Sequence, residues 1–231
     1  IEDAAHSLGA IRKNQKVGNC KWSELTVFSF HPVKPITTAE GGVITTNNKK
    51  LYNKLRILRN HGISRDYKKL RYKSFWYYEQ IALGFNYRMN ELQAALGSSQ
   101  LKKIKKFNIF RNKVAKNYFK SLQNLPIKLP TIQKENYSTF HLFVINFDEK
   151  RIKKSYDQIY KELIKNKIGV NLHYLPVHLQ PVFKKFKFKK GDFPESEKHA
   201  RTGFSLPIFY KISKKEQEKV VSVLKKVFNE K

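Results

Sequence analysis

The sequence predicts an α/β fold for its first part and a smaller α+β domain for its second. Three observations carry that expectation. Two β-rich runs, 25–30 and 43–46, lead directly into an amphipathic helical pattern. A long helical stretch follows, roughly over residues 90–122. Beyond Pro126 and Pro130, strand-like and helix-like segments mix without a regular alternation.

The elements follow in order. Residues 1–10, Ile-Glu-Asp-Ala-Ala-His-Ser-Leu-Gly-Ala, read as the end of a strand entering a loop of small residues. The run Leu-Thr-Val-Phe-Ser-Phe at 25–30 fits a buried strand. His31-Pro32-Val33-Lys34-Pro35 is bracketed by prolines and cannot be regular structure. Gly41-Gly42 opens a second strand, 43–46. From Lys49, Leu51, Leu55 and Leu58 share a helix face, and His61-Gly62 reads as the stop. Residues 63–88 are irregular and rich in Tyr and basic side chains. One long helix is expected over 90–122, with Met89, Leu92 and Leu96 on its early stripe and Phe110, Val114 and Tyr118 on its later one. Its middle is the natural boundary between a first domain, 1–105, and a second, 106–231. In the second domain, 140–145 reads as a strand, 156–166 as a helix, 169–174 as a strand running into Pro176, and 181–195 as an aromatic and basic loop. Ser213 with Glu216 three positions on forms a capping box for a last helix to Phe228.

Composition bounds the function. With 231 residues, 40% hydrophobic and 13% aromatic, the chain can bury a core and is no disordered basic tail. The single cysteine, Cys20, excludes an internal disulfide framework and points to a reducing, cytoplasmic compartment. No run approaches the length of a spanning helix, and no charged-then-apolar leader is visible. The first residue is Ile1, which suggests an excerpt of a longer protein. A formal net charge of +29 invites a nucleic-acid or anionic-membrane reading. The distribution weakens it. Residues 1–48 hold Arg12, Lys13, Lys16, Lys21 and Lys34 against Glu2, Asp3, Glu24 and Glu40, a net of +1. The rest is mostly scattered lysine pairs. Arginine forks, which read bases, are scarce, and no nucleic-acid motif appears. A solvated lysine surface with weak polyanion affinity is the expected consequence.

Three features in those first 48 residues belong together. Asp3 sits just past a strand, followed by Ala4 and Ala5. Lys34 sits on a rigid loop between Pro32 and Pro35, and Ser29 lies five residues before it at a strand end. A pyridoxal phosphate site needs such parts: an amine for the aldehyde, a carboxylate for the pyridine nitrogen, and hydroxyl and backbone donors for the phosphate. In open α/β sheets these groups gather at the carboxyl ends of strands. Apolar, proline-rich flanks can desolvate Lys34 and free its amine as a nucleophile. The competing readings are a surface lysine and a loop-capping aspartate.

The strings Glu2-Asp3-Ala4-Ala5-His6-Ser7-Leu8-Gly9 and Ser29-Phe30-His31-Pro32-Val33-Lys34-Pro35-Ile36-Thr37-Thr38-Ala39-Glu40-Gly41-Gly42 resemble the DegT/DnrJ/EryC1/StrS family of sugar aminotransferases. So do Gly84-Phe85-Asn86-Tyr87-Arg88-Met89-Asn90-Glu91-Leu92-Gln93-Ala94-Ala95-Leu96-Gly97, Asn60-His61-Gly62 and His173-Tyr174-Leu175-Pro176-Val177-His178, in that order along nearly the whole chain. The resemblance implies a fold-type-I, pyridoxal-phosphate-dependent enzyme. The chain would supply the C-terminal part of the large domain and the small domain. The lysine loop and Trp76-Tyr77-Tyr78-Glu79 look most like the branch that aminates UDP-linked 4-keto-6-deoxy sugars for pseudaminic acid. Perosamine-type and bacillosamine-type branches are the alternatives, and a catalytically inactive polyanion-binding fragment is the alternative of another class.

Residue by residue, the resemblance implies that Lys34 forms the Schiff base and shuttles the proton, and that Asp3 partners the pyridinium nitrogen. His6 would lie near the ring's 3-oxygen, or cap or fill the core instead. Ser29 would bind the phosphate, and Asn86 would reach it from a second subunit of a homodimer. Arg88 would take the nucleotide-sugar diphosphate or make a structural ion pair. His31 would touch substrate beside the lysine. His173 and Tyr174 would line the substrate side from the second domain, or simply pack at a strand end. Glutamate would be the amino donor. No His-x-x-x-His or cysteine cluster points to a metal. The family has a long segment before the Asp3 block that this chain lacks. The expectation is that the chain alone holds the cofactor poorly, turns over little and exposes sheet edges.

Overall fold

A computed structural model describes residues 1–229. Along the chain run β1 (Glu2–Asp3), β2 (Ile11–Arg12), β3 (Gln15–Lys16), β4 (Thr26–Ser29), β5 (Gly42–Thr45), α1 (Lys49–Leu58), β6 (Ile63–Ser64) and β7 (Glu79–Gln80). Then come α2 (Glu91–Leu101), α3 (Ile104–Leu122), β8 (Ile127–Lys128), β9 (Asn136–Tyr137), β10 (Phe143–Phe147), α4 (Tyr156–Lys165), α5 (Pro194–Thr202), β11 (Gly203–Leu206) and α6 (Lys214–Asn229). The chain divides into two compact units. The first holds Ile1–Lys105 and Glu135–Tyr137, and the second holds Lys106–Lys134 and Ser138–Lys231.

In the first unit β1 runs parallel to β4, and β5 joins β4 antiparallel, giving the order β1-β4-β5. The register sets Asp3 opposite Val27. Because β1 and β4 point the same way, Asp3 and Ser29 both end their strands at the carboxyl edge of one sheet. The hairpin of β2 and β3 turns at Lys13 and Asn14, both at positive φ, and β9 pairs with the other edge of β2. The side chain of Asn48 caps α1 by accepting the N–H groups of Lys50 and Leu51. The helix ends before Gly62, which sits at φ +73 with its N–H donated to Ile57 O at 3.0 Å.

One expected helix is two. The turn at Lys102 and Lys103 separates α2 from α3, with the Lys103 N–H turning back to Gln100 O at 2.9 Å. Lys102, Lys103, Lys105 and Lys106 crowd like charges at helical i,i+3 and i,i+4 spacing there, which weakens a continuous helix. The capping box read for α6 is present: Ser213 N–H donates to Glu216 Oε2 at 2.7 Å, and Glu216 N–H to Ser213 Oγ at 3.2 Å.

The second unit is an antiparallel sheet, β11-β10-β8, with its core built from α3, α4 and α6 side chains. Tyr118, Phe143, Ile145, Ile159, Leu163, Phe204 and Leu224 are fully buried in it. The strand starts at Phe143 rather than Phe140, because Phe140 lies at φ +46, where no strand continues. Residues 169–174 form no strand; Asn171 makes a single bridge to Ser205. The expected loop 181–195 instead holds a short 3-10 helix, Pro181–Phe186, and the start of α5. Buried Arg111 donates Nη1 to the carbonyls of Phe140, His141 and Ile208 at 3.1, 3.2 and 2.8 Å, tying α3 to two loops.

Candidate active site

The carboxyl edge of β1 and β4 carries Asp3, Ser29 and the loop with His31 and Lys34 that follows. Past β4 the chain makes a closed loop, 30–41. Phe30 N–H donates to Gly41 O at 2.8 Å, Thr38 N–H to Phe30 O at 3.0 Å and Lys34 N–H to His31 O at 3.0 Å. Ile36 and Thr38 are almost wholly buried beneath it, while His31 is exposed and Lys34 half-buried. The prolines at 32 and 35 stop the loop from joining the sheet.

Burial strips water from the Lys34 amine and holds it below the ordinary lysine range; the Asp3 carboxylate pulls it back upward in part. The two residues are thus within electrostatic reach although 31 positions apart. One Asp3 oxygen also accepts the Ala5 N–H at 3.0 Å, so the loop-capping reading holds for Oδ1 as well. His6 is half-buried in the turn that follows. Ser29 Oγ accepts the His31 N–H at 3.3 Å, which places the hydroxyl at the entry of the lysine loop.

Asn86 and Arg88 lie on a segment built by close backbone approach. Asn60 and Asn86 form an antiparallel bridge, with His61 N–H to Phe85 O and Tyr87 N–H to Arg59 O, both at 2.9 Å. Only glycine fits at 62 and 84: an added Cβ at Gly62 would stand 1.7 Å from Ala82 O, and one at Gly84 2.2 Å from Gly62 N. Both Asn86 and Arg88 are exposed. Arg88 Nη1 donates to the side-chain oxygen of Asn60, an amide partner rather than the ion pair that was the alternative.

His173 and Tyr174 belong to the second unit. His173 Nδ1 lies 2.6 Å from Ser205 Oγ, and its carbonyl accepts from His199 Nε2 at 2.9 Å. The Asn146 amide faces His199 Nδ1 at 3.2 Å and donates to Thr202 Oγ1 at 3.0 Å, and Thr202 in turn donates to Lys198 O. His173 is therefore half-buried in a polar network, and Tyr174 is exposed. Sequence reasoning missed this network because it missed α5. Pro194 at the first turn with Glu195 and Glu197 after it is a helix-start signal that would have found it. Among the described residues, no three His, Cys, Asp or Glu side chains assemble as a metal would need, and no helix is long and apolar enough to cross a membrane.

The donor set at the strand edge fits pyridoxal phosphate: an amine whose pKa burial lowers, a carboxylate in its field, and a hydroxyl on the neighbouring strand end. Residues 1–225 match the model of the DegT/DnrJ/EryC1/StrS aminotransferase family.

The chain belongs to this family.

Among its relatives, the uncharacterized protein MJ1066 of Methanocaldococcus jannaschii is 41% identical over all of this chain and 60% of its own length. The UDP-4-amino-4,6-dideoxy-N-acetyl-β-L-altrosamine transaminase of Campylobacter jejuni is 38% identical over 80% of this chain and 47% of its own length. Among solved structures, the "putative sugar aminotransferase Spr1654" of Streptococcus pneumoniae in its PMP form superposes with a TM-score of 0.87 at 27% identity. That match covers 98% of this chain and 56% of the other. The chain thus spans three fifths or less of the length of these DegT-family relatives, and it shares their α/β fold over that span.

Proposed function

We propose that the protein carrying this chain is a pyridoxal-phosphate-dependent aminotransferase. It would move an amino group from glutamate to the C4 ketone of a UDP-linked 4-keto-6-deoxy amino sugar, in the pathway to pseudaminic acid. The observation that carries the reading is the half-buried Lys34, on the closed loop after β4, in the field of Asp3 at the carboxyl edge of two parallel strands. The altrosamine transaminase relative and the lysine-loop sequence support the sugar branch.

Bound pyridoxal phosphate would supply an aldehyde that accepts an amino group and a ring that takes up electrons. The chain's residues would do the rest. The Lys34 amine, its pKa lowered by burial, would hold the cofactor through its aldehyde. The same Nζ would move the proton during the transfer, as general base and acid in turn. Asp3 would hold a proton on the ring nitrogen, and His6 would lie near the ring's 3-oxygen. Ser29 Oγ and Asn86 would hold the phosphate, Asn86 from the second subunit of a homodimer in the cytoplasm. Arg88 would pair with the diphosphate of UDP, and the candidates for contact with the sugar are His31 in the first unit and His173 and Tyr174 in the second.

The test uses the full-length protein, glutamate and a panel of UDP-4-keto sugars, with products weighed by mass spectrometry. A mass gain matching replacement of the C4 oxygen by an amino group is expected. Lys34→Ala should lower the rate about a thousandfold. A product formed at the wild-type rate by Lys34→Ala would overturn the assignment.

A further inference from the structure

The Lys34 loop is held from outside by one helix. Gln93 Nε2 donates to the Glu40 carbonyl at 3.1 Å, and Gln100 Oε1 accepts the Thr37 N–H at 3.1 Å. Between them, Gly97 leaves room for buried Thr38, since a Cβ there would come within 2.7 Å of Thr38 Cγ2. Positions 93, 97 and 100 are four and three apart, so they share one face of α2. The glutamine contacts reach the loop at its C-terminal side, just past the lysine and proline.

Gln93 has a second attachment. Its Oε1 accepts the Asn90 N–H at 3.1 Å, while its own N–H donates to Asn90 Oδ1 at 2.9 Å. The two bonds close the capping box of α2, whose first turn begins three residues after Arg88. One amide side chain therefore bonds the helix start through its oxygen and the lysine loop through its nitrogen.

We propose that Gln93 and Gln100 are positioning residues that clamp the Lys34 loop onto α2, and that Gln93 joins that loop to the segment carrying Asn86 and Arg88. The role in catalysis rests on the reading that Lys34 bears the cofactor; the clamp itself does not. Its function is to hold the amine in its half-buried setting, in the field of Asp3, without touching substrate or cofactor.

Three variants of the full-length protein test it. Gln93→Glu keeps an oxygen for Asn90 N–H but removes the donor to Glu40 O. Gln100→Glu keeps the acceptor for Thr37 and adds the same charge to the same helix face. Gln100→Met removes the acceptor without adding charge. The readout is the pH midpoint for acylation of Lys34 in cofactor-free protein, followed peptide by peptide by mass spectrometry. Gln93→Glu and Gln100→Met should move that midpoint up toward an ordinary lysine by about half a pH unit, roughly threefold in neutral amine. Gln100→Glu should titrate like the wild type. Wild-type midpoints in Gln93→Glu and Gln100→Met would overturn the clamp. So would a Gln100→Glu shift as large as that of Gln93→Glu, because charge alone would then explain both. Absorbance of added pyridoxal phosphate in the wild type tests the cofactor reading separately: its absence, with the variant pattern intact, would fail that reading and leave the clamp supported.

Discussion

Lys34 differs from the other lysines of this chain in what surrounds its amine. Burial lowers its pKa and Asp3 raises it in part, with burial the larger effect. Two outcomes follow. Asp3→Asn removes the upward pull, so the pH midpoint for Lys34 modification in cofactor-free protein should fall further, even as cofactor binding weakens. An upward move would contradict the assigned electrostatics. The second outcome is thermodynamic. A lysine whose folded pKa lies below its unfolded value binds fewer protons in the fold, so stability rises with pH between the two. The penalty is full below the folded pKa and gone above the ordinary lysine range. Lys34→Met keeps the aliphatic packing and drops the charge. Its Tm should exceed that of the cofactor-free wild type at neutral pH, and the gap should close as pH climbs to the ordinary lysine range. A gap that stays constant with pH would show that Lys34 carries no such penalty.

At the scale of elements, the site depends on three supports: the parallel pair β1 and β4, the closed loop 30–41, and the backbone crossing of 58–62 with 82–87. The crossing has the least tolerance. At Gly62 positive φ and the Ala82 carbonyl both exclude a side chain. Gly62→Ala should therefore cost about 3 kcal/mol in urea unfolding and shift Asn86 with it. An unchanged midpoint would mean the crossing is loose. In the second unit, Ser213→Ala removes the capping oxygen of α6 and should cost about 1 kcal/mol by the same measurement. Elements with strong local signals were legible in the sequence: β4, β5, α1, α4 and α6 lie within a few residues of their expected places. What was not legible depends on tertiary contact. Phe140 takes positive φ where its neighbours read as strand, and residues 169–174 find only one bridging partner. The two-residue strands β2, β3, β6 and β7 carry too few positions for any period to show.

For the whole molecule, the candidate residues of the first unit were legible because they sit in contiguous strings. Gln93 and Gln100 were not, because a glutamine on a helix has no signal until the loop it meets is placed. The +29 charge reads as surface: its excess lies outside the first 48 residues that hold Lys34 and Asp3. Exposure carries more information. Phe75, Leu83 and Leu92 are 99%, 86% and 84% exposed, and Val43 and Ile44 on β5 are open as well. Apolar surface on that scale calls for cover, and the relatives are longer than this chain. The 231-residue chain expressed alone should scatter light at micromolar concentration and lose added pyridoxal phosphate on desalting. A monodisperse chain that keeps the cofactor would contradict this. The central claim is that Lys34, among many lysines, is where the cofactor is held. Full-length protein saturated with pyridoxal phosphate, reduced with borohydride and digested, locates it by mass. The pyridoxyl-phosphate increment should fall on the peptide containing Lys34 and vanish in Lys34→Ala; an increment on any other lysine, or on none, would contradict the claim.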